Sequence, residues 1–98
     1  MNLSSSQRKY LRGLAHPLKP VVMVGHGGVT ESVMAEVEQA LNVHELIKIR
    51  FNEFKDEKTT LCDRIVEQSD AAIAGIIGHI AILYRPQRDL SKRRIRLP

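Results

Sequence analysis

Residues 20–30 read PVVMVGHGGVT, an apolar run followed at once by three glycines within four positions. The uninterrupted apolar run Pro20–Val24 predicts a buried strand of the kind that helices cover on both faces of a sheet. Thr30 is a suitable N-cap for a helix that we expect to extend to about Asn42. Because the N–H groups at the start of a helix attract anions, this strand-to-helix junction predicts a site that a phosphate can approach closely.

The chain on either side of this junction supplies two more helices and three more strands. Ser4 and Gln7 form a capping-box pattern, which predicts a first helix that Pro17 ends at or before His16. The other expected elements are a strand at 45–51, a helix capped by Asp56, and strands at 71–77 and 80–85 joined at Gly78-His79. The order α-β-α-β-α-β-β predicts a small single-domain α/β sandwich with a four-stranded mixed sheet. The first three strands should run in one direction and the last in the opposite one.

Apolar residues at helical spacing predict the face of each helix that packs on the sheet. The expected inward-facing sets are Leu11, Leu14, Ala15 and Leu18; Val33, Met34, Val37 and Leu41; and Leu61, Cys62, Ile65 and Val66. The strand at 45–51 alternates, which predicts one face with Ile47, Ile49 and Phe51 and another with Leu46, Lys48 and Arg50. The position of Cys62 on an apolar stripe indicates a core residue.

The composition favours one domain with a modest core. The chain has 98 residues, of which 43% are hydrophobic, and a single cysteine. No apolar run approaches the length of about 18 residues that a membrane span needs, and the N-terminus lacks the apolar stretch of a secretory signal. One cysteine permits no internal disulfide and no cysteine-based zinc site. We therefore expect a cytoplasmic protein.

The net charge of +4 is unevenly distributed. Residues 1–19 carry four basic side chains and no acidic one, and residues 84–98 carry six basic side chains against one acidic one. Residues 20–83 carry ten acidic and five basic side chains. Basic charge concentrated at the chain ends suggests a polyanionic partner, although it does not distinguish RNA from DNA and could form only a solvated surface. The C-terminal tail, residues 87–98, could likewise be solvated or could fold against RNA.

The glycine cluster matches one phosphate-binding pattern better than others. A Walker loop requires a lysine that is missing here, and the dinucleotide pattern G-x-G-x-x-G is not satisfied. Gly25 and Gly28 fit G-x-x-G, the loop that clamps a nucleic-acid backbone in KH domains. A tight structural turn is an equally valid interpretation of the motif alone. His26, inside the loop, could contact a phosphate or a base, or could be an ordinary turn residue.

Other candidate sites favour structural interpretations. His44-Glu45, at a helix-to-strand corner, is more typical of capping or packing than of acid–base catalysis. His16 and His79 have no metal-ligating neighbours at suitable spacing. No nucleophile–base or paired-carboxylate arrangement follows from the spacing. Four aromatic residues are too few for a broad stacking platform, so any RNA contact should depend on phosphates and shape.

Several motifs together resemble the YhbY family, the stand-alone bacterial form of the CRM (chloroplast RNA splicing and ribosome maturation) domain. The resemblance covers Leu3 to Pro86. It is carried by AHPLKP at 15–20, Gly25 to Gly28 with Thr30, HELIK at 44–48, Gly78, and Leu83-Tyr84-Arg85. It implies a fold similar to the C-terminal domain of translation initiation factor three. It also implies a non-catalytic, RNA-binding assembly factor of large ribosomal subunit precursors, which contacts RNA through the G-x-x-G loop.

The sequence thus predicts a CRM RNA-binding domain at 1–86 and a basic tail at 87–98. We expect ribosomal RNA as partner, no DNA or membrane, no enzymatic activity, no cofactor or metal, and a monomer. The predicted RNA-binding residues are Gly25, His26, Gly27, Gly28, Arg8, Lys9, Arg12, His16, Lys19, Lys48, Arg50 and Arg85. The alternatives are a small nucleotide-binding protein that uses the glycine turn and a basic adaptor that docks an acidic protein.

Overall fold

Four strands form one mixed sheet in the spatial order β1-β2-β4-β3 in the computed structural model, which describes all 98 residues. The elements are α1 (Ser5–Ala15), β1 (Val22–Val24), α2 (Glu31–His44), β2 (Leu46–Phe51), α3 (Lys58–Ser69), β3 (Ala72–Ile77) and β4 (Ile80–Tyr84). Strands β1 and β2 are parallel, and β4 is antiparallel to both β2 and β3. The predicted element order and strand directions are confirmed, with β4 inserted between β2 and β3. None of the helices has the length and apolar character needed to cross a membrane.

Local capping signals determine where the first two helices begin. At α1, the backbone N–H of Gln7 donates to Ser4 Oγ, and the N–H of Ser4 donates to the Gln7 side chain, which completes the predicted capping box. At α2, Thr30 Oγ1 accepts a hydrogen bond from the N–H of Val33. The prediction that Asp56 caps α3 is wrong. Asp56 lies within a single 3-10 turn at Lys55–Glu57, which precedes α3 and occupies the position expected for its cap.

The larger core lies on the face of the sheet covered by α2 and α3, here called the inner face. Its helical members are Val33, Val37, Leu41, Cys62 and Ile65, packed against strand residues that include Val22, Val24, Ile47, Ile49 and Phe51. The predicted stripes of α2 and α3 and the predicted inner face of β2 are therefore confirmed. Burial, with a smaller contribution from Asp63, raises the pKa of the Cys62 thiol to about 12, so the thiol stays protonated at neutral pH.

The opposite, outer face of the sheet is only partly covered. Helix α1 and the C-terminal tail close a smaller core there, formed by Leu11, Ala15, Leu46, Ala74, Ile82 and Tyr84. The expectation of helices on both faces of β1 is wrong, because β1 is an edge strand beyond the reach of α1, and Met23 is 46% exposed. The predicted inner stripe of α1 is also too wide, since Leu14 is 39% exposed and Leu18, which lies beyond the end of the helix, is 41% exposed.

The C-terminal tail, residues 87–98, folds onto the domain. The sequence suggested either a solvated tail or one that folds against RNA, and this arrangement is neither of the two. Ile95 and Leu97 pack against the smaller core, and the Gln7 side chain donates to the carbonyl of Pro98. The anchor of the tail is Glu45, whose side chain is fully buried. Its Oε2 accepts from the N–H of Gln87 at 2.7 Å, and its Oε1 accepts from the N–H groups of Arg94 at 2.8 Å and Ile95 at 3.2 Å.

Glu45 is therefore a packing residue, as the position of His44-Glu45 predicted. The three N–H donors compensate the cost of burying a carboxylate, which would otherwise exclude it from the core. Its backbone adopts φ 62°, a conformation that is strained for a residue with a side chain. Burial and then the Glu45 carboxylate raise the pKa of the neighbouring Tyr84.

Replacement of Glu45 by Gln should lower the free energy of unfolding by about 2–3 kcal/mol, because an amide nitrogen would face a backbone N–H that now has a charged acceptor. Glu36→Gln is the matched control, since Glu36 is exposed on α2 and its side chain makes no hydrogen bond. Urea denaturation measures both variants. Amide hydrogen exchange of Glu45→Gln should accelerate at Gln87, Arg94 and Ile95. Equal stability of the two variants would contradict the anchoring role.

Candidate nucleic-acid interface

The glycine loop connects the end of β1 to the start of α2 on an exposed part of the surface. The N–H of Gly28 donates to the carbonyl of Gly25 at 3.0 Å, which closes a tight turn. Gly28 has φ +74°, so the turn itself requires glycine at this position. A side chain at Gly25 would meet no atom within 4 Å, and one at Gly27 would meet only the Thr30 methyl group at 3.5 Å. The structural turn thus explains Gly28, whereas Gly25 and Gly27 leave space for a ligand.

The segment after β2 supports this loop from behind. The N–H groups of Asn52 and Glu53 both donate to the carbonyl of Val24, which holds the segment against the loop. The ring of Phe54 then lies beside Gly28, where a Cβ would be 3.5 Å from it, in ordinary van der Waals contact. Phe54 has φ 56°, a left-handed conformation that is unusual for a bulky residue. The backbone conformation of Gly28, rather than a clash with Phe54, therefore disfavours a side chain at this position.

The start of α2 combines free backbone N–H groups with an acidic side chain. The first N–H groups of a helix lack partners within it, and Thr30 Oγ1 occupies only that of Val33. Glu31 places a carboxylate in the same turn, which offsets part of the attraction of the helix dipole for an anion. His26 is exposed on the loop beside it. Strong binding of a polyanion at this loop therefore requires positive side chains from elsewhere.

Three cationic side chains and one histidine lie at the same end of the sheet; we call them the loop-end cluster. They are Arg50, Lys55, Lys58 and His79. Lys58 Nζ lies 3.3 Å from His79 Nδ1. Partial desolvation, followed by the charges of Lys58, Lys55 and Arg50, lowers the pKa of His79, with an opposing effect of Asp56. None of the four forms a salt bridge.

Only Arg50 of the loop-end cluster was predicted from the sequence. The other three lie in the acidic middle of the chain, where a count of charges along the sequence conceals them. They come together because the β3–β4 turn and the start of α3 reach the end of the sheet at which β1 and β2 terminate. Their proximity follows from the strand order, for which the sequence pattern contains no signal.

The predicted basic residues near α1 divide into two groups. Arg8, Arg12 and Lys48 are held by backbone carbonyls: Arg8 by Leu3 at 2.7 Å, Arg12 by Ala74 at 3.0 Å, and Lys48 by Leu18 at 2.9 Å and His16 at 3.3 Å. Lys48 thus caps the C-terminal end of α1, where a positive charge is favourable. The side chains of Lys9, His16 and Lys19 are exposed and make no hydrogen bond.

The structure does not bring Arg85 together with the loop. Arg85 follows β4 and lies beside Glu45, five residues along β2 from Arg50, a separation of about 17 Å along a strand. Its guanidinium donates to both oxygens of Glu38 at 2.8 and 2.9 Å, to Asn42 Oδ1 at 2.6 Å and to the carbonyl of Ser69 at 2.8 Å. Arg85 therefore joins the ends of α2 and α3, opposite the glycine loop.

A cavity of about 340 Å³ lies at this opposite end, between α2 and the tail, and Asn42, Arg85 and Asp89 are among its lining residues. It is therefore separate from the glycine loop. No group of three or more His, Cys, Asp or Glu side chains is placed to hold a metal ion.

Comparison with known proteins gives consistent results. Residues 3–85 match the family model of the CRS1 / YhbY (CRM) domain. The chain is 46% identical to an RNA-binding protein of Haemophilus influenzae over 98% of this chain and 95% of that protein. It is 30% identical to the probable RNA-binding protein YqeI of Bacillus subtilis, over 98% and 99% of the two chains. The solution structure of the hypothetical protein SAV1595 from Staphylococcus aureus has a TM-score of 0.83 and 31% identity, and the match covers 99% of this chain and 100% of that one.

Arg85→Ala should lower the free energy of unfolding by about 2 kcal/mol, because it leaves the carbonyl of Ser69 and the Glu38 carboxylate without their shared donor. Half of the Glu38 side chain is exposed, so water compensates part of the loss. Arg88→Ala removes the same charge from an exposed side chain that forms no hydrogen bond, and should change stability little. Denaturation of both variants by urea measures the difference. If Arg88→Ala cost as much as Arg85→Ala, the network would not be the stabilising feature.

Proposed function

The chain belongs to the CRS1 / YhbY (CRM) domain family, and from this we propose that it binds RNA through the glycine loop and the cationic side chains around it. The observation that carries the proposal is the position of the open loop beside the loop-end cluster. The relatives in Haemophilus influenzae and Bacillus subtilis are named as RNA-binding proteins, which supports it. Binding without catalysis is the function we assign.

The geometry explains how a phosphate backbone would be held. Open space beside Gly25 and Gly27 lets a phosphate reach the loop backbone and the first N–H groups of α2. Arg50, Lys55 and Lys58 would neutralise charge on one side of the loop. Lys19 is exposed before the start of β1, at the end of that strand away from the glycine loop. About six neutralised phosphates would give a log–log dependence of affinity on salt with a slope of about −4 for a single strand.

We further propose that the RNA is ribosomal RNA in precursors of the large subunit, so that the protein acts in ribosome assembly in the cytoplasm. The support for this is the resemblance of the motifs at 15–20, 25–30 and 44–48 to the YhbY family. A small basic domain that recognises phosphates and shape suits large, folded RNA, in which many phosphates are brought close together.

The two alternatives lead to different expectations. A nucleotide-binding protein would bind a free nucleotide saturably at the glycine turn, but the loop has no lysine to reach a phosphate and the cavity at Arg85 lies at the other end of the sheet. An adaptor for an acidic protein would retain little affinity for RNA at physiological salt. Measurement of RNA binding as a function of salt distinguishes both from the proposed function.

Gly27→Glu should weaken binding to a short RNA by roughly tenfold, or about 1.4 kcal/mol, because a carboxylate would occupy the place proposed for a phosphate. Gly27 is the suitable position, since its side chain would meet only the Thr30 methyl group at 3.5 Å and the fold should be kept. Fluorescence anisotropy at constant salt measures the affinity, and far-UV circular dichroism checks the fold.

Gln68→Glu is the control for net charge, because Gln68 is exposed near the end of α3 that lies away from the loop. It should reduce the affinity by less than about twofold, as expected for a distant and screened charge. Equal loss of affinity in the two variants would contradict a binding site at the glycine loop. The loss would then be explained by the change in net charge alone.

Sedimentation of a cell lysate through sucrose gradients tests the ribosomal assignment. The protein should co-migrate with large-subunit precursors at low salt and be released at high salt, because phosphate contacts weaken as salt rises. The Gly27→Glu chain should remain in the free fractions. Recovery of the unmodified protein only in free fractions at both salt concentrations would contradict a ribosomal RNA partner.

A further inference from the structure

A row of four side chains crosses the outer face of the sheet next to the glycine loop. The strand register pairs Ile77 with Ile80, Ile80 with Arg50, and Arg50 with Met23. The row therefore passes through all four strands and is about 14 Å long, given a spacing of about 4.8 Å between strands. Met23 lies two residues before Gly25, so the row ends beside the glycine loop.

Helix α1 leaves this row uncovered. Leu11 and Ala15 pack over Ala74 and Ile82 instead, on the part of the outer face nearer the other end of the sheet. Three of its four side chains are exposed: Ile77 is 60% accessible, Met23 is 46% accessible and Arg50 also lies in solvent, while Ile80 is half-buried. The row therefore places exposed apolar side chains on both sides of an exposed arginine, and apolar groups gathered on one face of a small protein mark a surface of interaction.

The chemistry of the row matches the bases of a nucleic acid. Arg50, at the β2 position of the row, forms neither a salt bridge nor a side-chain hydrogen bond, so its guanidinium plane is free to stack. Ile80 and Met23 flank it with apolar surface. Lys55 and Lys58 of the loop-end cluster add positive charge at the same end of the sheet. A polyanion with exposed apolar faces complements this combination better than an acidic protein surface does.

We propose that this row is a platform for the unpaired bases of a single-stranded RNA segment whose phosphates lie at the glycine loop, an inference that rests on the proposed RNA-binding function. A duplex keeps its base faces inside its own stack and has none to offer to the row. The protein should therefore prefer single-stranded RNA to duplex RNA of the same length. The scarcity of aromatic residues does not prevent base contacts, because Arg50 and the apolar residues replace them.

The test compares one RNA sequence as a single strand and as a duplex, by fluorescence anisotropy over a series of salt concentrations. In the double variant Met23→Thr/Ile77→Thr, affinity for the single strand should fall roughly tenfold, or about 1.4 kcal/mol. Its affinity for the duplex and the salt slope should stay unchanged, because no charge is removed. Threonine keeps the β propensity of both strand positions.

Val43→Thr is the matched control, since Val43 is 51% exposed on α2, away from the outer face, and should bind both RNAs as the unmodified chain does. Equal affinity of the unmodified chain for the two RNAs, or unchanged single-strand binding by the double variant, would overturn the platform while leaving phosphate binding intact. Absence of binding to either RNA would overturn both the platform and the proposed function. If the unmodified chain sediments as a dimer and the double variant as a monomer, with RNA affinity unchanged, the row is a contact between two copies of this chain. That result would also overturn the platform.

Discussion

The hydrogen bonds of the buried Glu45 carboxylate connect the C-terminal tail to the rest of the domain, and the arrangement of this part of the molecule depends on them. The Glu45 side chain holds the tail through three backbone N–H groups. Its own N–H donates to Leu41 at the end of α2, and its carbonyl accepts from Arg85 after β4. One residue therefore joins a helix, two strands and the tail. The carboxylate can be buried there only because all of these donors converge on it, which makes the arrangement all-or-none.

The two ends of the sheet consequently have different characters. At one end, the side chains of Glu45 and Arg85 are paired with other charged groups or with backbone groups and serve the fold. At the end of the glycine loop, Arg50 and its neighbours make no salt bridge. Since every buried side-chain nitrogen and oxygen has a hydrogen-bond partner, the unused hydrogen-bonding and electrostatic capacity of the protein is on its surface. Around the glycine loop, this unused capacity lies next to exposed backbone and next to a part of the sheet that no helix covers.

Basic residues that look alike in the sequence have different tasks in the structure. Arg12 and Lys48 carry the same charge as Lys9 and Lys19. In the structure, the first two side chains donate to backbone carbonyls, whereas the other two make no hydrogen bond. The long stems of Arg12 and Lys48 let each charge reach a carbonyl on a neighbouring element. Arg85 shows the same effect most clearly, because its four acceptor contacts come from three residues that lie 16 to 47 positions before it in the sequence. Net charge predicts a polyanion partner but not which side chains meet it.

The sequence by itself determined the features that depend on neighbouring residues: the capping box at Ser4, the Thr30 cap, the apolar stripes of α2 and α3, and the turn at the glycine loop. These depend on spacing over a few residues, which a sequence displays directly. The placement of β4 between β2 and β3, the exposed edge at β1, the docked tail and the loop-end cluster depended on tertiary structure. Each requires contacts between segments distant in the chain. Which of those contacts form depends on how the whole sheet buries its apolar faces, and no short stretch of sequence contains that information.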